Sequence, residues 1–167
     1  VPDGYDRLLD ENFITTGSVV ARRSALLALG GFAADLRLVE DLDLWLRLAQ
    51  RHGLAWLGQV CLLRRRHDAN QSRDPRAMSL AYLEVLRSQG AGCGPQRPAL
   101  ARRLKNAMAR EQLALADRAL IEHDPREALR WAHRSLLTRR SARALWRIAQ
   151  AAAAALAGSE HRGSPSQ

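Results

Sequence analysis

The sequence predicts an α/β segment followed by an all-α helical hairpin region, on three observations. The run GAGCGPQRP (Gly90–Pro98) clusters glycine and proline and interrupts every hydrophobic period, so it reads as a linker. Charge is divided across that break: residues 1–96 carry 12 Lys+Arg against 11 Asp+Glu, while residues 97–157 carry 13 against 5. The apolar pattern is mixed before the break and helical after it. The expected organisation is a mixed domain over 1–89, a linker over 90–98, a helical extension over 99–158 and a disordered tail over 159–167.

Before the break, GSVVAR (Gly17–Arg22) places adjacent β-branched residues in a short strand. SALLALGGF continues as a short helix stopped by Gly30 and Gly31. In LVEDLDLWLRLAQRHG, Leu42, Trp45, Leu46 and Ala49 recur at helical spacing and define one apolar face, with Gly53 as a left-handed stop. Leu54–Arg66 reads as two short strands around Gly58–Gln59. Asp74–Pro75 supplies an N-cap and an N1 proline for a helix reaching about Gln89.

After the break, Leu100, Leu104, Met108, Leu115 and Leu120 lie along one long helix. Asp124–Pro125 repeats the Asp-Pro helix start, with Leu129, Ala132 and Leu136 facing inward. Ser141 caps a last helix carrying Leu145, Ile148 and Ala152. Consecutive helices joined by short turns give hairpins, and the spacing is similar to tetratricopeptide-type helix pairs.

Composition bounds the function classes. The 47% hydrophobic content supports a folded core, and no apolar run has the length of a membrane span. Cys61 and Cys93 lack metal-type spacing, which points to a reducing compartment. The chain opens on Val1 with no charged leader, so it is expected to be part of something longer.

Glu40, Asp41 and Asp43 stand at the head of the second predicted helix. Carboxylates in a first turn gain about 0.3–1 kcal/mol each from the helix dipole, so a structural role accounts for them by itself. Asp41-Leu42-Asp43 is literally D-x-D, but on a helix the two carboxylates point about 200° apart and cannot share one cation. Asp43 falls one turn before Arg47, a pairing worth about 0.2–0.5 kcal/mol.

The context around these acids resembles the second half of family 2 glycosyltransferases, which have the GT-A fold. The elements are Thr16-Gly17-Ser18, Arg22-Arg23, Gly30-Gly31-Phe32, Glu40-Asp41, the helix Asp43-Leu44-Trp45-Leu46-Arg47, and Arg65-x-His67 with Asn70 and Ser72. Their order and spacing agree over roughly residues 12–73. The resemblance implies the acceptor-side half of a GT-A domain, and inverting transfer of a sugar from a nucleotide-diphospho-sugar to an acceptor hydroxyl in glycan or polysaccharide synthesis. It implies Asp41 as general base, Glu40 as its neighbour orienting base or acceptor, and Gly17 and Arg65 in substrate binding. It also implies His67 as a ligand to a divalent metal, Mg or Mn, held mainly by a D-x-D motif that this chain lacks. The Arg64–Arg66 run would hold phosphates. Arg64 stands where the family usually has an aromatic residue. Trp45 and Trp56 are expected as core anchors, and His52 as a partner of a helix C-terminus.

The implied partners are the nucleotide-sugar donor and a glycan or lipid-linked acceptor. The implied location is the cytoplasm, at the inner face of the membrane if the basic helices make peripheral contact. Without a donor half, the chain by itself is expected to be inactive. The rival reading is a basic helical module over 97–157 that docks nucleic acid, an anionic membrane or a protein partner. Nucleic acid fits least, because the arginines are scattered and no aromatic-interleaved patch accompanies them.

Overall fold

The computed structural model describes residues 3–63, 74–91 and 97–160. The chain divides into two compact units between Gly92 and Cys93, inside the glycine- and proline-rich break.

The first unit contains α1 (Gly4–Asp10), a 3-10 turn (Thr16–Ser18), α2 (Arg23–Ala28), α3 (Glu40–Arg51) and α4 (Pro75–Ala91). Its core is aliphatic: Leu8 and Leu9 from α1, Leu42, Leu44, Leu46 and Leu48 from α3, and Leu83, Val85 and Leu86 from α4. Trp45 is buried with them and meets Phe32 edge-on, at 6.2 Å between ring centroids. The buried part of α3 is wider than the predicted stripe, because Asp43, Leu44 and Leu48 are covered as well. Polar contacts join three helices at one point. The Gln89 side-chain oxygen accepts from Tyr5 Oη at 3.3 Å and from Gln50 Nε2 at 2.7 Å.

Helix ends follow local hydrogen bonding. After α2 the chain turns through left-handed Gly30 (φ 77°) and Gly31 (φ 70°), with Gly31 N–H donating to the Leu26 carbonyl and Gly30 N–H to that of Leu27. The Asp74 carboxylate accepts from the backbone N–H groups of Arg76 and Ala77, so α4 starts at the predicted Asp-Pro pair. Gly53 is not the stop of α3. His52 turns extended there, at φ −136° and ψ 151°, and its N–H donates to the Leu48 carbonyl.

The α/β expectation is overturned, and with it the GT-A acceptor-side half: among the described residues there are seven α-helices and no strand. Val19 and Arg22 have extended backbones, as their sequence predicts. Extension is local, however, whereas a strand needs a ladder partner. The Val19 N–H is taken by the Thr16 carbonyl inside the turn, and Val20 stands almost wholly exposed. Leu54–Leu63 likewise forms neither helix nor strand, with Gly58 left-handed (φ 65°). Trp56, expected in the core, is 73% exposed on this segment, alongside exposed Leu57, Val60 and Leu63.

The second unit is α5 (Pro98–Ile121), α6 (Pro125–Thr138) and α7 (Ala142–Glu160), each packed on the next. Its interfaces are built from small residues: Ala119, Ala128 and Ala151 form one buried cluster, against which Leu120 packs. Side chains this small let backbones come close, and Ser135 of α6 donates to the Ala109 carbonyl of α5 at 2.9 Å. Arg147 of α7 forms an ion pair with Asp117 of α5. At the α5–α6 turn His123 is left-handed (φ 59°), and the Asp124 N–H donates back to the Ala119 carbonyl at 2.8 Å. The Asp124 carboxylate then accepts from Glu127 N–H and caps α6. Ser141 Oγ accepts from Ala144 N–H in the same way. Leu129, expected to face inward, is exposed, as is Leu145 on α7, because alanines take the contact positions.

Candidate functional site

The candidate site is the head of α3. Val39 precedes the helix at φ 55° and ψ 22°, a left-handed conformation that is unusual for a β-branched residue. Its side chain is buried, so packing holds the strained backbone in place. Glu40 and Asp41 follow directly, both partly exposed.

Asp41 is oriented by a specific set of donors. Its Oδ1 accepts from Asn12 Nδ2 at 3.2 Å and from the Leu42 N–H at 2.7 Å. Its Oδ2 accepts from Thr16 Oγ1 at 3.0 Å. A carboxylate oxygen offers about two acceptor positions. Oδ1 is thus fully engaged by two donors, while Oδ2 accepts one, from the exposed Thr16, and keeps one acceptor position. Gly17 sits in the same 3-10 turn as Thr16. A Cβ there would come within 3.2 Å of Leu62 Cδ2, so a small residue lets the turn lie close to that side chain.

Asp43 serves a different end. It is buried and accepts from Arg47 Nε at 2.9 Å and Nη2 at 2.7 Å. Arg47 goes on to donate from Nη1 to the Leu29 carbonyl at 2.6 Å and from Nη2 to the Gly31 carbonyl at 2.8 Å. The two acids of the literal D-x-D therefore have separate partners: Asn12 and Thr16 for Asp41, and for Asp43 Arg47, which reaches on to the end of α2.

Of the residues singled out in the sequence, Asp41 and the Thr16–Gly17 turn are brought together. Glu40 lies beside them with no side-chain partner among the described residues. Arg65 and His67 lie outside the described residues. No group of three or more His, Cys, Asp or Glu side chains suited to a metal occurs among the described residues. The donor set among the described residues does not fit the implied divalent cation. His52 is exposed at the other end of α3, where it lines a cleft of about 330 Å³ with Asp3, Tyr5, Asp6 and Leu54.

Asn12 is the residue that the sequence did not disclose. It stands 29 positions from Asp41, and no local pattern connects the two. Among protein-family models, curated proteins and solved structures, none matches this chain. The resemblance to family 2 glycosyltransferases is thereby corrected: no family model supports it, and the described residues form helices with none of the strands that it requires. A run of individually weak motifs matched in order without the architecture that normally carries them.

Proposed function

We propose that the head of α3 is the acceptor side of a sugar-transfer site, with Asp41 Oδ2 as general base. In the reaction, an acceptor hydroxyl oxygen attacks the anomeric carbon of a nucleotide-diphospho-sugar and the bond to the nucleoside diphosphate breaks. The hydroxyl proton passes to Asp41 as that attack proceeds. Attack opposite the leaving group inverts the anomeric configuration.

The carrying observation is the division of labour between the acids. Asp43 is buried and committed to Arg47, whereas Asp41 is partly exposed, oriented by Asn12 and Thr16, and retains one acceptor position on Oδ2. Thr16 already presents one hydroxyl to that oxygen, and an acceptor hydroxyl approaching from the exposed side meets the same atom. The backbone strain at Val39 adjoins this carboxylate, a placement characteristic of sites where geometry is enforced.

The test is a titration of the chain with a panel of mono- and oligosaccharide acceptors, followed by backbone amide NMR. Shifts centred on Asn12, Thr16 and Leu42, weakened in Asp41→Asn, are the expected result. Shifts elsewhere only, or equal binding by Asp41→Asn, overturn the acceptor assignment.

A further inference from the structure

The second unit leaves one helix face without a partner. α7 turns Ala144 and Ala151 into the unit and half-buries Ile148. On the other side, Leu145, Trp146, Ala149, Ala153 and Leu156 recur at spacings of three and four and form one exposed apolar stripe. Trp146 is 62% exposed and Leu156 69%. The only charged residue from Ala144 to Ala157 is Arg147, and it is drawn to Asp117. The stripe is thus free of charge along most of the helix.

Charge gathers at its beginning instead. Arg139 and Arg140 in the α6–α7 turn and Arg143 in the first turn of α7 are exposed, and none of the three guanidinium groups has a partner among the described residues. Leu137, on the last turn of α6, is also exposed beside them.

We propose that this face of α7 docks on an anionic phospholipid bilayer. Trp146, Leu145 and Leu156 enter the boundary between headgroups and acyl chains, and the three arginines lie on the phosphates. The helix lies along the surface, since no described helix is long and apolar enough to cross a membrane. Charge selects this occupant over the others. A second copy docked in parallel would set arginine turn against arginine turn, and an antiparallel copy would cover the stripe but set its uncharged end, Ala151–Ala157, against the arginines. A nucleic acid would satisfy the arginines but offers no apolar layer to cover Leu145 and Leu156. An anionic bilayer supplies both layers in the order that the protein presents them.

The experiment is co-sedimentation of the full chain with phosphatidylglycerol–phosphatidylcholine vesicles and with pure phosphatidylcholine vesicles. Binding to the first, weak binding to the second, and loss with added salt are expected. Arg139→Ala, Arg140→Ala and Arg143→Ala should each weaken partitioning roughly fivefold. Trp146→Glu should remove it while leaving the thermal unfolding of the chain unchanged, because the side chain is exposed. Equal binding to both vesicle types overturns the proposal, as does undiminished binding by folded Trp146→Glu. Binding to RNA without vesicle binding, or a dimer that Trp146→Glu dissociates without vesicle binding, also overturns it.

Discussion

Arg47 Nη2 lies 2.7 Å from Asp43 Oδ2 and 2.8 Å from the Gly31 carbonyl, so one guanidinium ties the middle of α3 to the end of α2. The planar fork matters, because an ammonium is a point donor and cannot serve a carboxylate and two carbonyls in fixed directions at once. Breaking a buried ion pair by removing one partner costs about 3–5 kcal/mol, and the partial exposure of Arg47 lowers that. Arg47→Ala should therefore destabilise the first unit by about 2–3 kcal/mol in urea unfolding, with Arg47→Lys recovering less than half. Equal stability of the Lys variant and the parent chain would refute the bridging role.

Asp41 and Asp43 should respond oppositely to the same isosteric change. Asp43→Asn weakens a buried charge-assisted pair, at about 1.5–3 kcal/mol of stability. Asp41→Asn keeps an oxygen to accept from Asn12 and Leu42, and should alter stability by less than about 1 kcal/mol. In a sugar-transfer assay, Asp41→Asn should lower kcat by about 10²–10⁴-fold, the usual loss on removing a general base. Comparable destabilisation by the two variants would show Asp41 to be structural.

Val39 should invert the usual ranking of alanine and glycine. Both substitutions lose the buried Val39 side chain. At φ 55°, however, only glycine escapes the left-handed penalty. Val39→Gly should be less destabilising than Val39→Ala by about 0.5–1 kcal/mol in denaturant unfolding. The ordinary order would mean that the left-handed conformation does not persist in solution.

His123 offers the same conformation without burial. It is exposed at φ 59°, so substitution loses little packing. Relief of the left-handed penalty, about 1–2 kcal/mol, exceeds the extra chain entropy of glycine, about 0.5–1 kcal/mol. His123→Gly should raise stability by about 0.5–1 kcal/mol, read as a higher urea midpoint with unchanged slope. A lower midpoint would argue against this turn geometry.

Some of the fold was legible because its causes lie within a few residues. Asp74 and Asp124 cap helices by reaching N–H groups two or three positions ahead, and Gly30–Gly31 ends α2 through bonds to Leu26 and Leu27. Trp45 was readable as core from its register with Leu42 and Leu46. Trp56 was not, since an apolar residue in an extended segment becomes core only if something covers that segment. The same distinction holds at the site. Asp41 was marked by its neighbours, but Asn12 and Thr16 reach it across 29 and 25 positions.

The sequence by itself determined where α4, α6 and α7 begin and where α2 ends, the division near Gly92, and the concentration of positive charge beyond it. Each of these is set by hydrogen bonds or composition within a turn or two of the chain. Tertiary structure alone decided that Val19–Val20 and Leu54–Leu63 form no sheet, that Asp43 and Asp41 separate into structural and exposed carboxylates, and that the apolar stripe of α7 faces outward. Those outcomes depend on which distant segments meet. Local propensity makes backbone extended and side chains apolar, but ladders, ion pairs and burial require a partner that the chain must close a loop to reach.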